Sequence, residues 1–195
     1  MKGDATDRAL KGAWISGMDA AKSQPGDWRA MMTGVALVVL DFDGVMTDNR
    51  VLVMQDGTEG VLCSRADGFG LEMLRKAGVP VVVLSKEQKP VVAARCRKLK
   101  LECVQGIDDK LPELKRLAAA RGAPREKVVY AGNDVNDLEC LGWAGVPVVV
   151  ADAHPRALDA ARLVLTKAGG FGAVRELCEM ILEARGGAAR SGGLP

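Results

Sequence analysis

Two aspartates one residue apart, in Asp41-Phe42-Asp43-Gly44, follow directly on an apolar run at residues 35–40. Carboxylates crowded at the end of a buried strand repel each other and resist burial unless a cation sits between them. A hard ion such as Mg2+ suits that position, because it takes carboxylate, carbonyl, water and phosphate oxygens. With the ion in place, Asp41 can attack phosphorus as a covalent nucleophile, and Asp43 can protonate the leaving oxygen and then activate water. Gly44 lets the chain turn sharply, and Thr47 and Asp48 continue the loop. Phosphoryl transfer also needs donors for the equatorial oxygens. Ser85 offers a hydroxyl and a backbone N–H, and Lys110 a full positive charge. Asp134 and Asp137, in Gly132-Asn133-Asp134-Val135-Asn136-Asp137, are candidates to complete a metal shell. Each residue alone has a plainer reading: a solvated turn, a helix cap, a charge at a helix start. Their placement, each beyond the end of an apolar run, favours one shared site.

The elements that must position them follow from periodicity. Residues 35–40, 79–84, 101–104, 128–131 and 146–150 are short, apolar and rich in valine, as strands covered on both faces are. Helical spacing separates them: Leu71, Leu74 and Ala77; Val91, Val92, Arg95 and Leu99; Leu111, Leu114, Leu117 and Ala118. Such alternation predicts an α/β fold with a parallel sheet and right-handed crossovers. Open sheets of this kind bind ligands beyond the carboxyl ends of their strands, where the candidate residues fall. Residues 50–64 break the rhythm, and Gln55-Asp56-Gly57 predicts a β-hairpin inserted after the first strand. Residues 1–33 are expected to be a poorly ordered extension with a short helix near Asp19-Ala20-Ala21. Residues 34–185 form the domain, and 186–195 a flexible Gly/Ala-rich tail.

Composition narrows the function classes. Aromatic residues make up 4% of the chain and the net charge is +2, with bases scattered among acids. That leaves neither the stacking surface nor the basic footprint of a nucleic-acid binder. No apolar run is long enough to cross a bilayer, and no secretory signal is visible. Five cysteines without a C-x-x-C pair point to reduced thiols in the cytoplasm.

The stretch from Asp41 to Asp48, together with Ser85, Lys110 and the segment from Gly132 to Asp137, resembles the four motifs of the haloacid dehalogenase superfamily. Three further stretches are similar to its capless branch of 3-deoxy-manno-octulosonate 8-phosphate phosphatases and sialic-acid-type 9-phosphate phosphatases. They are Gln105-Gly106-Ile107-Asp108-Asp109-Lys110, Val150-Ala151-Asp152-Ala153-His154-Pro155 and Gly169-Gly170-Phe171-Gly172-Ala173-Val174-Arg175-Glu176. The resemblance implies a Rossmann-like core with helices on both faces, a hairpin flap and no cap domain. It also implies Mg2+ bound by Asp41, Asp43, Asn133 and Asp134, and a cytosolic homotetramer acting on a small acidic sugar phosphate. In that assembly the segment from Gly169 to Arg175, or the tail after it, is expected to reach an adjacent subunit's site. Asp67 resembles a substrate-side residue, although a helix start explains Asp67-Gly68 equally well.

Two departures refine the resemblance. Ser85-Lys86-Glu87 stands where the octulosonate branch has Thr-Gly-Arg. Glu87 is thus similar to the nine-carbon branch, where Lys98 resembles a residue that pairs with the substrate carboxylate; an exposed helix lysine is its alternative. Asn133 stands where the family's main metal-binding aspartate falls. Some CMP-sialate synthetases carry such an asparagine in a phosphatase-like domain used for assembly, so an assembly module working beside a cytidylyltransferase is the rival function.

Overall fold

The computed structural model describes residues 28–186. The helix expected near Asp19 and all but the first residue of the expected tail lie outside that range. Strand β1 (Leu37–Leu40) is Leu-Val-Val-Leu with every side chain buried, so it can only sit mid-sheet with both faces covered. It pairs in parallel with β4 (Val81–Leu84) on one side and β6 (Val128–Gly132) on the other, Val39 lying opposite both Val82 and Tyr130. Beyond these lie β5 (Glu102–Val104), β7 (Val146–Val149) and β8 (Leu163–Val164), giving the order β5-β4-β1-β6-β7-β8. All five expected strands are present. The sixth, β8, is two residues long and too short for periodicity to reveal.

The chain leaves β1 in both directions of the sheet, so the strand order reverses there and a crevice opens at its carboxyl end. Helices α2 (Arg65–Lys76), α3 (Val91–Leu99) and α7 (Ala173–Ala184) cover one face. Helices α4 (Lys110–Ala120), α5 (Leu138–Trp143) and α6 (Pro155–Ala160) cover the other. Local chemistry sets their starts. Ser64 Oγ accepts from Ala66 N at 3.1 Å to cap α2, and Asp109 Oδ1 accepts from Leu111 N at 3.3 Å to cap α4. Helix α7 turns Ala173, Val174, Leu177, Cys178, Ile181 and Leu182 to one buried face, which packs on α2.

One boundary differs from expectation. Helix α1 (Trp28–Met32) falls inside the stretch assigned to the extension, and it packs on α7 with Met32 fully buried. Burying a methionine yields about 1.5–3 kcal/mol, enough to dock a five-residue helix that could not persist alone. Residues 28–32 therefore pack with the domain rather than standing apart from it.

The hairpin pairs β2 (Leu52–Val53) with β3 (Glu59–Gly60). Its turn closes through Met54 N to Thr58 O at 2.9 Å, with Gly57 at φ 81°. A bridge between Thr47 and Cys63 fixes its base. Val51, Leu52, Val53, Met54 and Leu62 are all exposed.

Candidate active site

Asp41 takes the first position past β1. Its backbone N–H still donates to Ala131 O at 2.9 Å, so the sheet ladder fixes its main chain. The loop then folds on itself, with the N–H groups of Val45, Met46 and Thr47 all directed at Phe42 O. The buried Thr47 hydroxyl accepts from Gly44 N at 3.1 Å and Asn49 N at 3.3 Å, tying both ends of the loop together. Gly44 has φ 75°, and a Cβ there would overlap the Asn133 side chain. Both conformation and space therefore demand glycine.

Below the loop lies a buried charge network. Lys110, the first residue of α4, places Nζ 2.8 Å from Asp41 Oδ1 and 2.9 Å from Asp137 Oδ1. Asp137 Oδ1 also accepts from the Tyr130 hydroxyl at 2.6 Å, and Oδ2 accepts from Asn133 N at 2.9 Å and Asp134 N at 3.3 Å. Asp137 is thus saturated by four donors and has no lone pair aimed at a metal. It anchors the lysine and the fourth motif, correcting its assignment to a metal shell. Tyr130 escaped the sequence reading. The signal was there: it is the sole tyrosine of the chain and sits in an apolar strand, where a hydroxyl must find a partner.

One ammonium serves two carboxylates, and the surplus negative charge falls on Asp41. Burial first, then Asp137, pushes its carboxyl up to about 7, against the opposing pull of Lys110. The same two anions hold Lys110 charged despite its burial, which acts the other way. Asp41 Oδ1 is committed to Lys110 and to Phe42 N at 2.7 Å, so Oδ2 carries no such bond.

Above the loop is a cleft of about 170 Å3, lined in part by Asp41, Asp43, Ser85, Glu87, Asn133 and Asp134. Six of the predicted site residues thus share one space, and Lys110 lies just beneath it. Burial and the nearby Glu87 raise the Asp43 carboxyl, with Lys110 opposing. The Ser85 hydroxyl faces this cleft and accepts from Glu87 N at 3.1 Å. Its backbone N–H is already given to Val104 O at 2.9 Å, so Ser85 brings a phosphate only its hydroxyl, not the pair of donors expected. Asp134 Oδ1 caps the short 3-10 turn Val135–Asp137 by accepting from Val135 N at 2.6 Å. Asn133 is held by its own N–H to Asp137 and by its carbonyl, which accepts from His154 N at 2.7 Å.

These donors suit a hard cation. Asp41 is a carboxylate whose proton is held by burial and like charge, the condition a divalent ion relieves. Among the described residues no group of three or more His, Cys, Asp or Glu side chains is arranged to hold a metal. Asn133 lines the same cleft, and its side-chain amide is a neutral group outside those four types.

Three predicted substrate residues lie elsewhere. Asp67 is buried between α2 and α7, where Oδ1 accepts from Arg175 N at 2.8 Å and caps α7 from another helix. The Arg175 guanidinium pairs with Glu179 and stacks 4.9 Å over the Phe69 ring. Lys98 is exposed in the last turn of α3 and lines no part of this cleft. Within one chain, none of the three reaches the cleft. The Gly169-Gly170 pair seats against its own chain's loop, where a Cβ at Gly169 would lie 1.9 Å from Gly44 O.

Known proteins resemble this chain in sequence and in fold. The model of the haloacid dehalogenase-like hydrolase family matches residues 85–176. The 3-deoxy-D-manno-octulosonate 8-phosphate phosphatase KdsC of Escherichia coli (strain B / BL21-DE3) is 32% identical over 161 residues, 82% of this chain and 86% of that protein. This chain belongs to the octulosonate-phosphatase family of haloacid dehalogenase-like hydrolases. Solved structures of the same type superpose on the phosphatase closely. One from Moraxella catarrhalis, in complex with magnesium, phosphate and KDO, has 29% identity and TM-score 0.82, covering 85% of this chain and 95% of that one. One from Streptomyces avermitilis, described at the level of a HAD family hydrolase, has 51% identity and TM-score 0.74, covering 76% and 85%. The capless α/β core expected from the sequence is the fold of this family.

Proposed function

We propose that the phosphatase is magnesium-dependent and cleaves an acidic keto-deoxy sugar phosphate through an aspartyl-phosphate. The substrate is 3-deoxy-D-manno-octulosonate 8-phosphate or a nonulosonate 9-phosphate of the sialic-acid type. The observation that carries this reading is Asp41, held by Lys110 at 2.8 Å, at the floor of a cleft that also presents Asp43 and Ser85. Support for the substrate class comes from the octulosonate phosphatase of E. coli and from the KDO held by the Moraxella structure.

Each side chain has a task. Asp41 Oδ2 attacks phosphorus and the ester P–O bond breaks. Asp43, whose carboxyl keeps its proton to higher pH than usual, gives it to the departing sugar oxygen. Water then attacks phosphorus, Asp43 takes its proton, and phosphate leaves with Asp41 regenerated. The Ser85 hydroxyl and the Lys110 charge steady the oxygens of the transferring group. A magnesium ion held by Asp41, the Asp43 carbonyl, and Asn133 or Asp134 would neutralise phosphate charge. Release of phosphate from eight- and nine-carbon ulosonic acid phosphates, with and without Mg2+, tests this. Asp41→Asn should lose at least about 1,000-fold in kcat, and undiminished turnover would refute the mechanism.

Asn133 supports a second reading, a weakly active assembly module beside a CMP-sialate cytidylyltransferase. The Asp41–Lys110–Asp137 network weighs against it, since a structural domain gains nothing from buried charges aimed at a cleft. We further read the exposed apolar flap as a contact between subunits of a homotetramer. No helix among the described residues is long and apolar enough to cross a membrane, and a cytoplasmic enzyme is the reading adopted.

A further inference from the structure

A second cavity of about 330 Å3 adjoins the phosphate cleft, and the two share Asp43, Asn49 and Glu87 in their walls. A phosphomonoester whose phosphorus lies over Asp41 must send its organic part somewhere, and this cavity is the adjoining space. Val51, Val61 and Val91 give it apolar surface. Glu59 and Glu87 can accept hydrogen bonds from hydroxyl groups, and would repel an anion left without a counter-charge. Arg50 is the one cation in the lining.

Other cations nearby are committed or distant. Lys110 is shared by Asp41 and Asp137, Lys86 lies 3.6 Å from Asp108, and Lys89 lies 4.0 Å from Glu59. Lys98 and Arg175 sit outside both cavities. Arg50 forms no ion pair among the described residues. Its main chain is nonetheless fixed: Arg50 N donates to Asp48 Oδ1 at 3.2 Å, and the preceding Asn49 is held at φ 61° with its N–H on Thr47 Oγ1. The guanidinium thus hangs from the same loop that carries the nucleophile, with no ion-pair partner among the described residues. A planar fork of donors matches a carboxylate or a phosphate, and with the phosphate over Asp41 the carboxylate is the anionic group left for it.

We propose that Arg50 is the specificity-determining residue that binds the carboxylate of the sugar acid in the second cavity while its phosphate occupies the first. The assignment rests on the acidic-sugar reading above. It is tested by kcat/KM of the wild type, Arg50→Met and Arg50→Lys on two substrates, the eight- or nine-carbon acidic sugar phosphate and p-nitrophenyl phosphate, which has no carboxylate. In Arg50→Met the ratio of acidic to nitrophenyl kcat/KM should fall on the order of 10- to 100-fold, carried by KM, and Arg50→Lys should recover part of it. Taking a ratio within each variant cancels any loss from misfolding. A ratio within about twofold of wild type in Arg50→Met overturns the assignment. Wild-type cleavage of p-nitrophenyl phosphate with no cleavage of acidic sugar phosphates overturns the substrate reading instead, and Arg50 with it.

Discussion

Lys110 is shared between two carboxylates with different fates. Asp137 is surrounded by donors and serves as an anchor, while Asp41 keeps one oxygen open toward the cleft. What distinguishes them is the set of N–H and O–H groups that the fold directs at each. Asn133 belongs to the same balance, since a neutral amide binds a divalent ion more weakly than a carboxylate would. Asn133→Asp should lower the melting temperature without metal, by adding a further anion to the cleft, and tighten Mg2+ binding about tenfold. Thermal melts across a Mg2+ titration, without substrate, measure both, and an unchanged titration midpoint would remove Asn133 from the metal site. These examples show what sequence could and could not convey. Asp41 and Asp43 were legible because two carboxylates against a buried strand need an explanation on local grounds alone. Asp67 sits in the first turn of α2, as its helix-start alternative has it, but its use as a cap for α7 depends on Arg175, a residue 108 positions away. Ser85 was half right: the ladder to β5 that consumes its N–H is a matter of register, which spacing does not reveal.

At the scale of elements, the site depends on glycines where two backbones meet. Gly169 and Gly170 press against the loop that follows β1, and Gly170 N donates to Val45 O at 3.2 Å. Asp152 Oδ1 receives Gly169 N at 2.9 Å and holds the pair in place from the loop after β7. Gly169→Ala should cost about 1–3 kcal/mol, because the facing atoms are main chain and cannot step aside. Urea unfolding would measure the loss, and kcat should fall along with it as the Asp41 loop shifts. Equal stability and activity in that variant would mean the loop is not set from this side. The central strands and long helices were readable from their own periodicity. Strand β8 and helix α1 were not, since each is short and exists by leaning on a neighbour, β7 and α7 respectively.

For the whole molecule, the flap is the unusual feature. Five large apolar side chains stand exposed on residues 51–62, with Leu62 75% accessible. A two-stranded hairpin of this length is marginal alone, and apolar surface of this kind marks a contact site. Sedimentation velocity should show a tetramer for the wild type and smaller species for the double variant Leu52→Glu, Leu62→Glu. A wild type that sediments as a monomer would remove the flap's assigned role. The Gly169-Gly170 seat also bears on how the enzyme comes into being. Asp41 is among the first core residues to leave the ribosome, yet the loop that aims it is braced by residues translated much later. A nascent chain halted before Gly169 would carry the nucleophile without the brace, so hydrolytic competence is withheld until the glycine pair has been made.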